Sequence, residues 1–283
     1  MRFLMTGSSG FIGRKILKEL LRKNDKVTIL LRENANIKFD FDLENVKKIF
    51  IDDLFTKDVD WWLDILREID AVIHAAWYVL PSDYLNSKKN LQCLNGSINM
   101  LKAMNLLKVN YFVGLGTCYE YDFSFSNNIL KTSTPLKPKS PYTISKVALL
   151  NYLKLLESTS NFKFAWCRVF YLYGEGEDKR RLIPYIHDNL KKSKKVKIKN
   201  GNYIRDYLDV KTASKLIAKI ANERFHGEFN ICSGKGETIK NIALSIAAKY
   251  NKKHLIEFDE LKEIQNQPTK IIGEPFINYS NKI

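Results

Sequence analysis

Short apolar runs alternate with longer amphipathic stretches through the first half of the chain. The runs predict β-strands, and the stretches predict helices because their apolar residues recur every three or four positions. Phe11 to Lys23, for example, places Ile12, Ile16 and Leu20 on one face of a helix. Such alternation is typical of βα units that form a parallel sheet with helices on both faces, a doubly wound α/β fold. The predicted strands are Arg2 to Thr6, Lys26 to Leu31, Val46 to Ile51, Ala71 to Ala76, Tyr111 to Gly116 and Phe164 to Val169, and the further predicted helices are Trp61 to Ile69, Asn90 to Leu107 and Tyr142 to Ser158.

After Gly174 the alternation breaks into a charged loop, a helix and a Lys-rich stretch. Asp206 to Ala221 predicts a helix, and Phe229 to Cys232 predicts one more strand of the sheet. From Glu237 onward the pattern predicts a helix, a strand and an irregular tail. We therefore predict a Rossmann-type domain over residues 1–173, to which 206–234 return, and a smaller C-terminal lobe from 174–205 and 235–283. A substrate is expected to bind in the cleft between them.

Composition narrows the class of function. The chain has 283 residues, 45% of them hydrophobic, which is enough to bury a substantial core. Its formal net charge is +15, but the basic residues are scattered and no nucleic-acid-binding motif occurs, so we expect no nucleic-acid partner. The densest cluster, Lys191 to Lys199, predicts a solvated helix end that runs into a strand. A modest positive field would suit an anionic substrate that carries phosphate.

Cysteines, histidines and apolar runs exclude other classes. The four cysteines and four histidines share no metal-ligand spacing, so we expect no metal site. The apolar runs are too short to span a bilayer, and a glycine-rich motif follows Met1 within a few residues. We therefore expect no membrane partner, no signal peptide and a cytoplasmic location.

Three glycines, each three residues from the next, follow the first predicted strand directly and open the first predicted helix. Glycine lets the backbone turn tightly and approach a pyrophosphate, while the helix N-terminus supplies a positive dipole. The position of the motif predicts a dinucleotide site. The candidate cofactor-binding residues of this turn are Gly7, Ser9, Gly10, Phe11, Ile12 and Gly13.

The end of the second strand predicts which dinucleotide binds. NAD sites usually have an acid there to bind the adenosine ribose, whereas this chain has Leu31 followed by Arg32. A guanidinium can pair with a 2′-phosphate, so NADP(H) is favoured over NAD(H). Arg32 could instead stack on adenine or be a surface charge. After the third strand, Asp53 and Leu54 suit adenine contacts, although an Asp at a strand end often only caps a turn.

Tyr142 and Lys146 lie one helical turn apart, and Thr117 follows a predicted strand 25 residues upstream. An ammonium on the same helical face favours a phenolate and should lower the pKa of the tyrosine from about 10. The threonine hydroxyl can hydrogen-bond the same substrate oxygen. We predict that the three residues move a proton at a carbon–oxygen bond.

Together these motifs resemble the extended short-chain dehydrogenase/reductase superfamily, in its nucleotide-sugar epimerase, dehydratase and reductase branch. The resemblance covers nearly the whole chain. It rests on the glycine turn, Asp53-Leu54, His74-Ala-Ala76, Asn95-Gly-Ser-x-Asn99, Gly116-Thr117, Tyr142-x-x-x-Lys146, Arg168-Val-Phe-Tyr-Leu-Tyr-Gly174 and Arg205-Asp-Tyr-Leu-Asp-Val210.

The resemblance implies roles for individual residues. Thr117, Tyr142 and Lys146 would form the catalytic triad, with Lys146 also holding the nicotinamide ribose. Further cofactor contacts would come from Ala75, Ala76, Asn95, Val169 and Leu172. The substrate would meet Thr117, Cys118, Tyr119, Tyr171, Arg181, Leu182 and Arg205; for Arg205, a salt bridge with Asp206 or Asp209 is the alternative. Family members commonly form homodimers through the helices that begin near Asn90 and Tyr142, which implies a homodimer here.

The residues after Thr117 narrow the reaction. Family dehydratases place an Asp-Glu pair there, whereas this chain has Cys118 and Tyr119, and Glu120 comes one position later. Strand alternation should turn Glu120 away from the site. Enzymes of the GDP-fucose-synthase type use a Cys two residues after the hydroxyl, which Cys118 does not match. We expect NADP-dependent reduction of a 4-keto nucleotide sugar; 4-epimerisation with tightly bound NAD is the alternative, and a catalytically idle NADP-binding scaffold is a third possibility.

Overall fold

A parallel seven-stranded sheet forms the centre of the computed structural model, which describes residues 1–33, 39–125, 129–259 and 268–276. The strand order is β10-β6-β5-β4-β1-β2-β3. The chain therefore winds from β1 to one edge of the sheet and then returns to build the other half. These strands are β1 (Arg2–Thr6), β2 (Lys26–Arg32), β3 (Val46–Ile51), β4 (Ala71–His74), β5 (Tyr111–Thr117), β6 (Lys163–Val169) and β10 (Gly227–Ile231).

Helices cover both faces of this sheet. Phe3 and Met5 of β1 point into one apolar core, and Leu4 points into the other. Helices α1 and α6 close the first core, while α2, α3 and α4 close the second. The predicted doubly wound fold is confirmed. The helices are α1 (Phe11–Leu21), α2 (Val59–Leu66), α3 (Lys89–Leu106), α4 (Pro141–Thr159), α5 (Leu182–Lys191), α6 (Val210–Asn222) and α7 (Ile239–Ala248).

Two small sheets lie beside the main one. In the first, β9 pairs with β7, β11 and β13; in the second, β8 pairs with β12. Val196 and Ile198 of β8 are buried while Lys197 and Lys199 are exposed, so the predicted solvated helix end that runs into a strand is confirmed. Among the described residues, no helix is both long and apolar enough to cross a membrane. The strands are β7 (Tyr171–Tyr173), β8 (Val196–Lys199), β9 (Ile204–Asp209), β11 (Gly236–Thr238), β12 (Ile256–Asp259) and β13 (Lys270–Ile271).

One predicted helix was wrong at its start. Asp206 was expected to lie in a helix, but it belongs to strand β9. Its buried carboxylate accepts hydrogen bonds from the backbone N–H groups of Ser233 and Gly234, at 2.7 and 2.9 Å. These partners lie far along the chain, so local periodicity did not reveal them. The helix begins at Val210, where Asp209 caps it by accepting from the backbone of Lys211. The predicted irregular tail lies partly outside the described residues, in 260–267 and 277–283.

A buried ion pair joins the ends of β5 and β6. Arg168 Nε lies 2.7 Å from Glu120 Oε2, and neither side chain is exposed. Trp166 Nε1 donates to the same carboxylate at 3.0 Å, and the N–H of Thr117 donates to its other oxygen at 2.8 Å. Gly116 makes room for this network, because a Cβ there would lie 2.3 Å from Trp166 Nε1. The pair fixes the segment that follows Thr117.

Glu120→Gln should lower the free energy of unfolding by about 2 kcal/mol or more, because the buried Arg168 guanidinium would lose one of its two carboxylate partners and keep only the partly exposed Glu228. Urea denaturation measures this change. Glu223→Gln is a matched control, since its partner Lys219 is on an exposed helix face. That control should change the free energy of unfolding by less than about 0.5 kcal/mol. Equal effects of the two substitutions would contradict the structural role of the buried pair.

Candidate active site

The glycine turn between β1 and α1 packs directly on the backbone at the end of β4. Gly7 has a positive φ of 72°, and a Cβ there would lie 2.5 Å from the backbone nitrogen of Ala76. A Cβ at Gly13 would lie 2.0 Å from the carbonyl oxygen of Gly7. These two positions therefore require glycine. At Gly10 an added Cβ would meet only the Gly7 oxygen, at 3.3 Å, so the outer side of the turn is open.

The open side of this turn suits an anion. Helix α1 has no acidic residue in its first turn, so the positive end of its dipole is not neutralised there. The Ser8 hydroxyl and Arg14 Nε are buried and have no hydrogen-bond partner among the described residues. A pyrophosphate could approach the backbone on the open side of Gly10, so the residues fit a dinucleotide. Of the other candidate residues in this turn, Ser9 is exposed, and Phe11 and Ile12 are half-buried.

A chain of hydrogen bonds fixes Ala75 and Ala76 against the turn. Ser97 Oγ donates to the Cys93 carbonyl at 2.7 Å, so His74 Nε2 must donate to Ser97 Oγ at 2.9 Å. His74 Nδ1 then accepts from Thr6 Oγ1 at 2.8 Å, and Thr6 Oγ1 accepts from the Ala76 N–H at 3.2 Å. Burial lowers the pKa of His74 to about 3, so the ring stays neutral and keeps this tautomer.

The residues predicted to contact the adenosine half of the cofactor, Asp53, Leu54 and Arg32, differ in burial and in their partners. Asp53 caps a 3₁₀ turn, Leu54–Thr56, by accepting from the Phe55 N–H at 3.0 Å. Leu54 is half-buried and packs on the second core. Arg32 is exposed at the carboxyl end of β2, and residues 34–38 beyond it lie outside the described part of the chain.

Asn95 is not brought to the other candidate residues. It lies two residues from both Cys93 and Ser97, which are buried, and is therefore on the opposite, exposed side of α3. Its neighbours Gly96 and Asn99 instead hold α3 against the 3₁₀ turn. A Cβ at Gly96 would lie 2.5 Å from Phe55 Cα, and Asn99 Nδ2 donates to the Lys57 carbonyl at 3.1 Å. The register of the buried helix face could have identified Cys93 as the inward residue.

Thr117, Tyr142 and Lys146 are brought together and all three are buried. Thr117 ends β5 and caps the 3₁₀ turn Cys118–Glu120. Tyr142 stands in the first turn of α4, which begins with the cap Ser140 and a proline. One turn later, the Lys146 ammonium donates to the Leu115 carbonyl at 2.8 Å and lies 5.9 Å from the centroid of the Tyr142 ring.

The expected effect of Lys146 on Tyr142 is outweighed by burial. Burial raises the pKa of Tyr142 well above its ordinary value, Tyr84 and Glu120 add to this, and an interaction with the Thr117 hydroxyl opposes it. Burial also lowers the pKa of Lys146 to about 7, against the attraction of Glu120. The expectation of a lowered tyrosine pKa was therefore wrong for the protein by itself. Tyr142 keeps its proton at neutral pH and can act as a proton donor.

Glu120 and Cys118 both follow Thr117, and neither side chain is free to act as a base. Glu120 lies in a 3₁₀ turn and not in a strand, so alternation was the wrong reason for excluding it. Its carboxylate is bound by Arg168 and Trp166 instead. Burial raises the pKa of the Cys118 thiol to about 12, so the thiol stays protonated at neutral pH and supplies no thiolate.

A tyrosine cluster and Arg205 lie on the proposed substrate side. The hydroxyls of Tyr119 and Tyr171 are 2.6 Å apart, and the ring of Tyr207 is 5.4 Å from that of Tyr171. The Arg205 guanidinium lies 5.6 Å from the Tyr171 ring centroid and donates to the Thr269 carbonyl at 3.2 Å. Within the described ranges, no carboxylate lies within salt-bridge distance of Arg205, so the alternative pairing with Asp206 or Asp209 is not seen.

The charged loop after β7 meets Tyr142 through Tyr84. The Arg181 guanidinium lies 5.6 Å from the Tyr84 ring, which packs edge-on against Tyr142 at 5.0 Å. Sequence reasoning missed Tyr84 and also Glu177, whose Oε2 is buried with no partner among the described residues. Burial raises the pKa of Glu177 to about 7, with Arg181 opposing it. No local pattern signalled either residue, because both reach the site from loops.

The remaining candidate residues are half-buried around these groups. Val169 ends β6 beside Thr117 in the register of the sheet, and Leu172 pairs with Leu208 in the first small sheet. Leu182 opens α5 directly after Arg181 and packs on the core of the second small sheet.

Comparison with known proteins identifies the family. The model of the NAD dependent epimerase/dehydratase family matches residues 3–232. A dTDP-6-deoxy-L-talose 4-dehydrogenase (NAD(+)) of Aggregatibacter actinomycetemcomitans is 26% identical over 89% of this chain and 92% of its own length. A dTDP-4-dehydro-6-deoxyglucose reductase of Escherichia coli is 28% identical over 91% of this chain and 84% of its own.

A solved structure agrees in fold. The UDP-glucose 4-epimerase of Thermus thermophilus, in complex with NAD, superposes with a TM-score of 0.80 at 23% identity, over 97% of this chain and 91% of its own. The resemblance derived from the motifs is confirmed, and the protein is an NAD(P)-dependent enzyme that modifies nucleotide sugars. The chain belongs to the NAD dependent epimerase/dehydratase family.

Proposed function

We propose that this enzyme reduces the 4-keto group of a nucleotide-activated deoxysugar with NADPH, in the biosynthesis of a surface polysaccharide. The observation that carries the proposal is a protonated Tyr142 beside Lys146, in a site where Glu120 is bound by Arg168 and the Cys118 thiol keeps its proton. Two relatives with related activities, the dTDP-sugar 4-dehydrogenase and the dTDP-sugar reductase, support it.

The protein's part in this reaction is to place and protonate one oxygen. The bound dinucleotide supplies hydride to C4 of the sugar. Tyr142 donates its proton to the oxygen as negative charge develops there, and its raised pKa keeps that proton available. Thr117 is placed to hydrogen-bond the same oxygen. Lys146 as an ammonium stabilises the tyrosinate that remains and is placed to hold the ribose.

The nucleotide half of the substrate is proposed to bind at the smaller lobe, in residues 174–205 and 235–283. Arg181 and Arg205 can each grip a phosphate oxygen with a planar fork. The rings of Tyr171 and Tyr207 offer a stacking surface beside Arg205. Burial of Arg205 and its bonds to backbone carbonyls hold the guanidinium in place before a ligand binds.

A 4-epimerase with tightly bound NAD is the second candidate. It is favoured by likeness to a putative UDP-glucose 4-epimerase of Methanocaldococcus jannaschii, 28% identical over 84% of this chain and 79% of its own. Epimerisation uses the same tyrosine in both directions and consumes no cofactor overall. The stoichiometry of the cofactor therefore separates the two candidates.

The reductase should oxidise one NADPH for each 4-keto-6-deoxy nucleotide sugar converted, measured by absorbance of the nicotinamide. Tyr142→Phe should lower kcat by about 10²-fold or more, because it removes the proton donor, while cofactor affinity is kept. Tyr152→Phe, on the same helix but packed in the second core, is the control and should keep near-normal turnover. Conversion of the sugar without net NADPH oxidation would favour the epimerase instead.

Arg32 is proposed to select NADP over NAD. Leu31 holds the place of the acid that usually binds the ribose at this strand end, and the next residue, Arg32, is an exposed cation that can pair with a phosphate. Arg32→Gln should weaken NADPH binding about tenfold and leave NADH binding unchanged, since only NADPH carries the 2′-phosphate. Titration of nicotinamide fluorescence measures both affinities, with Arg67→Gln as a surface control. An equal loss of affinity for NADPH and NADH would show that Arg32 does not bind the 2′-phosphate.

A homodimer through α3 and α4 is also proposed. The two helices pack side by side on the second core, and each presents a large apolar side chain to solvent. Leu91 is 60% exposed, Ile144 53% and Leu155 54%. The matching faces of a second copy would cover these side chains.

Ile144→Glu together with Leu155→Glu should convert the dimer to a monomer, because each places a charge in the apolar contact. Sedimentation velocity measures the change. Phe50→Glu is the control, since Phe50 is 54% exposed but lies on the edge strand β3. A wild-type protein that sediments as a monomer would overturn the proposed dimer.

A further inference from the structure

The ammonium of Lys146 is buried without an acidic partner in contact. The Leu115 carbonyl is the one hydrogen-bond acceptor found for it among the described residues. Its closest aromatic neighbour is Trp77, whose ring centroid lies 3.7 Å from Nζ. A cation over an indole face at this distance is attracted by the ring quadrupole, and the attraction grows when water is excluded. Trp77 was not among the residues that sequence reasoning singled out.

The indole of Trp77 is held rigidly in that orientation. Its Nε1 donates to Asn90 Oδ1 at 2.8 Å. The Asn90 amide in turn donates to the carbonyls of Tyr84, at 2.6 Å, and Ser87, at 2.9 Å. The rings of Phe55 and His74 meet the indole edge-on. The ring is therefore fixed by the protein itself, and Asn90 ties it to the loop that carries Tyr84.

We propose that Trp77 is a positioning residue that keeps the Lys146 side chain charged and aimed at the catalytic site. Burial penalises an ammonium, and one carbonyl replaces only part of its lost hydration. The indole face supplies the missing favourable interaction without a carboxylate. A carboxylate in contact would bind the ammonium directly and compete with the ribose hydroxyls and the tyrosinate. The inference rests on the proposed function only in assigning Lys146 a part in catalysis.

Four titratable groups face Lys146 from the elements around it. Glu120 and Cys93 favour its charged form. His74 of β4 is neutral and Tyr142 keeps its proton, so neither adds a charge near neutral pH. Burial nevertheless lowers the pKa of Lys146 to about 7. Removal of the indole should lower the pKa of Lys146 further, so that the ammonium is deprotonated at a lower pH as the pH rises. Catalysis that needs this ammonium should then also begin to fall at a lower pH.

The test is a titration of the free enzyme that needs no turnover. With lysine labelled by ¹³C at Cε, the signal of Lys146 is assigned by its absence in Lys146→Arg. Its titration midpoint should fall by about one pH unit in Trp77→Leu. Trp77→Phe should lie between the two, because a benzene ring attracts cations less strongly than an indole. Trp61→Leu is the matched control, since Trp61 also has a lysine, Lys57, over its ring but lies elsewhere.

The pH at which turnover falls on the alkaline side should also decrease from the wild type to Trp77→Phe and again to Trp77→Leu. Unchanged titration midpoints in the Trp77 variants would overturn the inference. Should Trp77→Leu fail to fold, Trp77→Phe decides alone, and a midpoint equal to that of the wild type would overturn the inference there too. If the midpoints shift as expected but no 4-keto sugar is reduced, the proposed function fails while the role of Trp77 stands.

Discussion

The burial of Lys146 is the constraint to which the rest of the active site responds. We propose that this ammonium contacts a substrate and a ribose, and a carboxylate in contact with it would compete for those interactions. The nearest acid, Glu120, acts from a distance and is bound by Arg168 and Trp166. The ammonium therefore depends on a backbone carbonyl of β5 and on the face of Trp77. The sheet, the loop after β4 and helix α4 all have to meet at this one group.

Backbone contact between distant segments provides the other half of the site. The turn after β1 touches the end of β4 so closely that a Cβ at Gly7 would overlap the backbone of Ala76. Neutral His74 bridges Thr6 to Ser97, which joins β1, β4 and α3 in one hydrogen-bonded chain. Because the adjacent carboxyl ends of β1 and β4 flank the crevice of a doubly wound sheet, this contact sets where a dinucleotide can bind.

Local pattern was sufficient to predict the main sheet, the glycine turn and the grouping of Thr117 with Tyr142 and Lys146. It failed where pairing is long-range. The local pattern predicts a helix at Asp206, and only its hydrogen bond to Ser233 shows why it lies in a strand. Asn95 matches a motif, but its position on the helix places it on the exposed side. The spacing of Tyr142 and Lys146 gave their proximity but not their burial, and burial decides the direction of the pKa shift of each.

The position of one acid explains why this site is suited to a simple proton donation. Glu120 follows Thr117 by three residues, the distance at which a side chain caps a turn, and its carboxylate accepts the Thr117 N–H. An acid in that place fixes the backbone of Thr117, and its carboxylate is already bound by Arg168 and Trp166. With Cys118 buried as a protonated thiol and Glu120 bound by Arg168, neither of these two residues after Thr117 is free to act as a second acid or base. This arrangement agrees with the proposed chemistry at a single carbon–oxygen bond, since Cys118 and Tyr119 hold the positions where the family resemblance places the acid pair of a dehydratase.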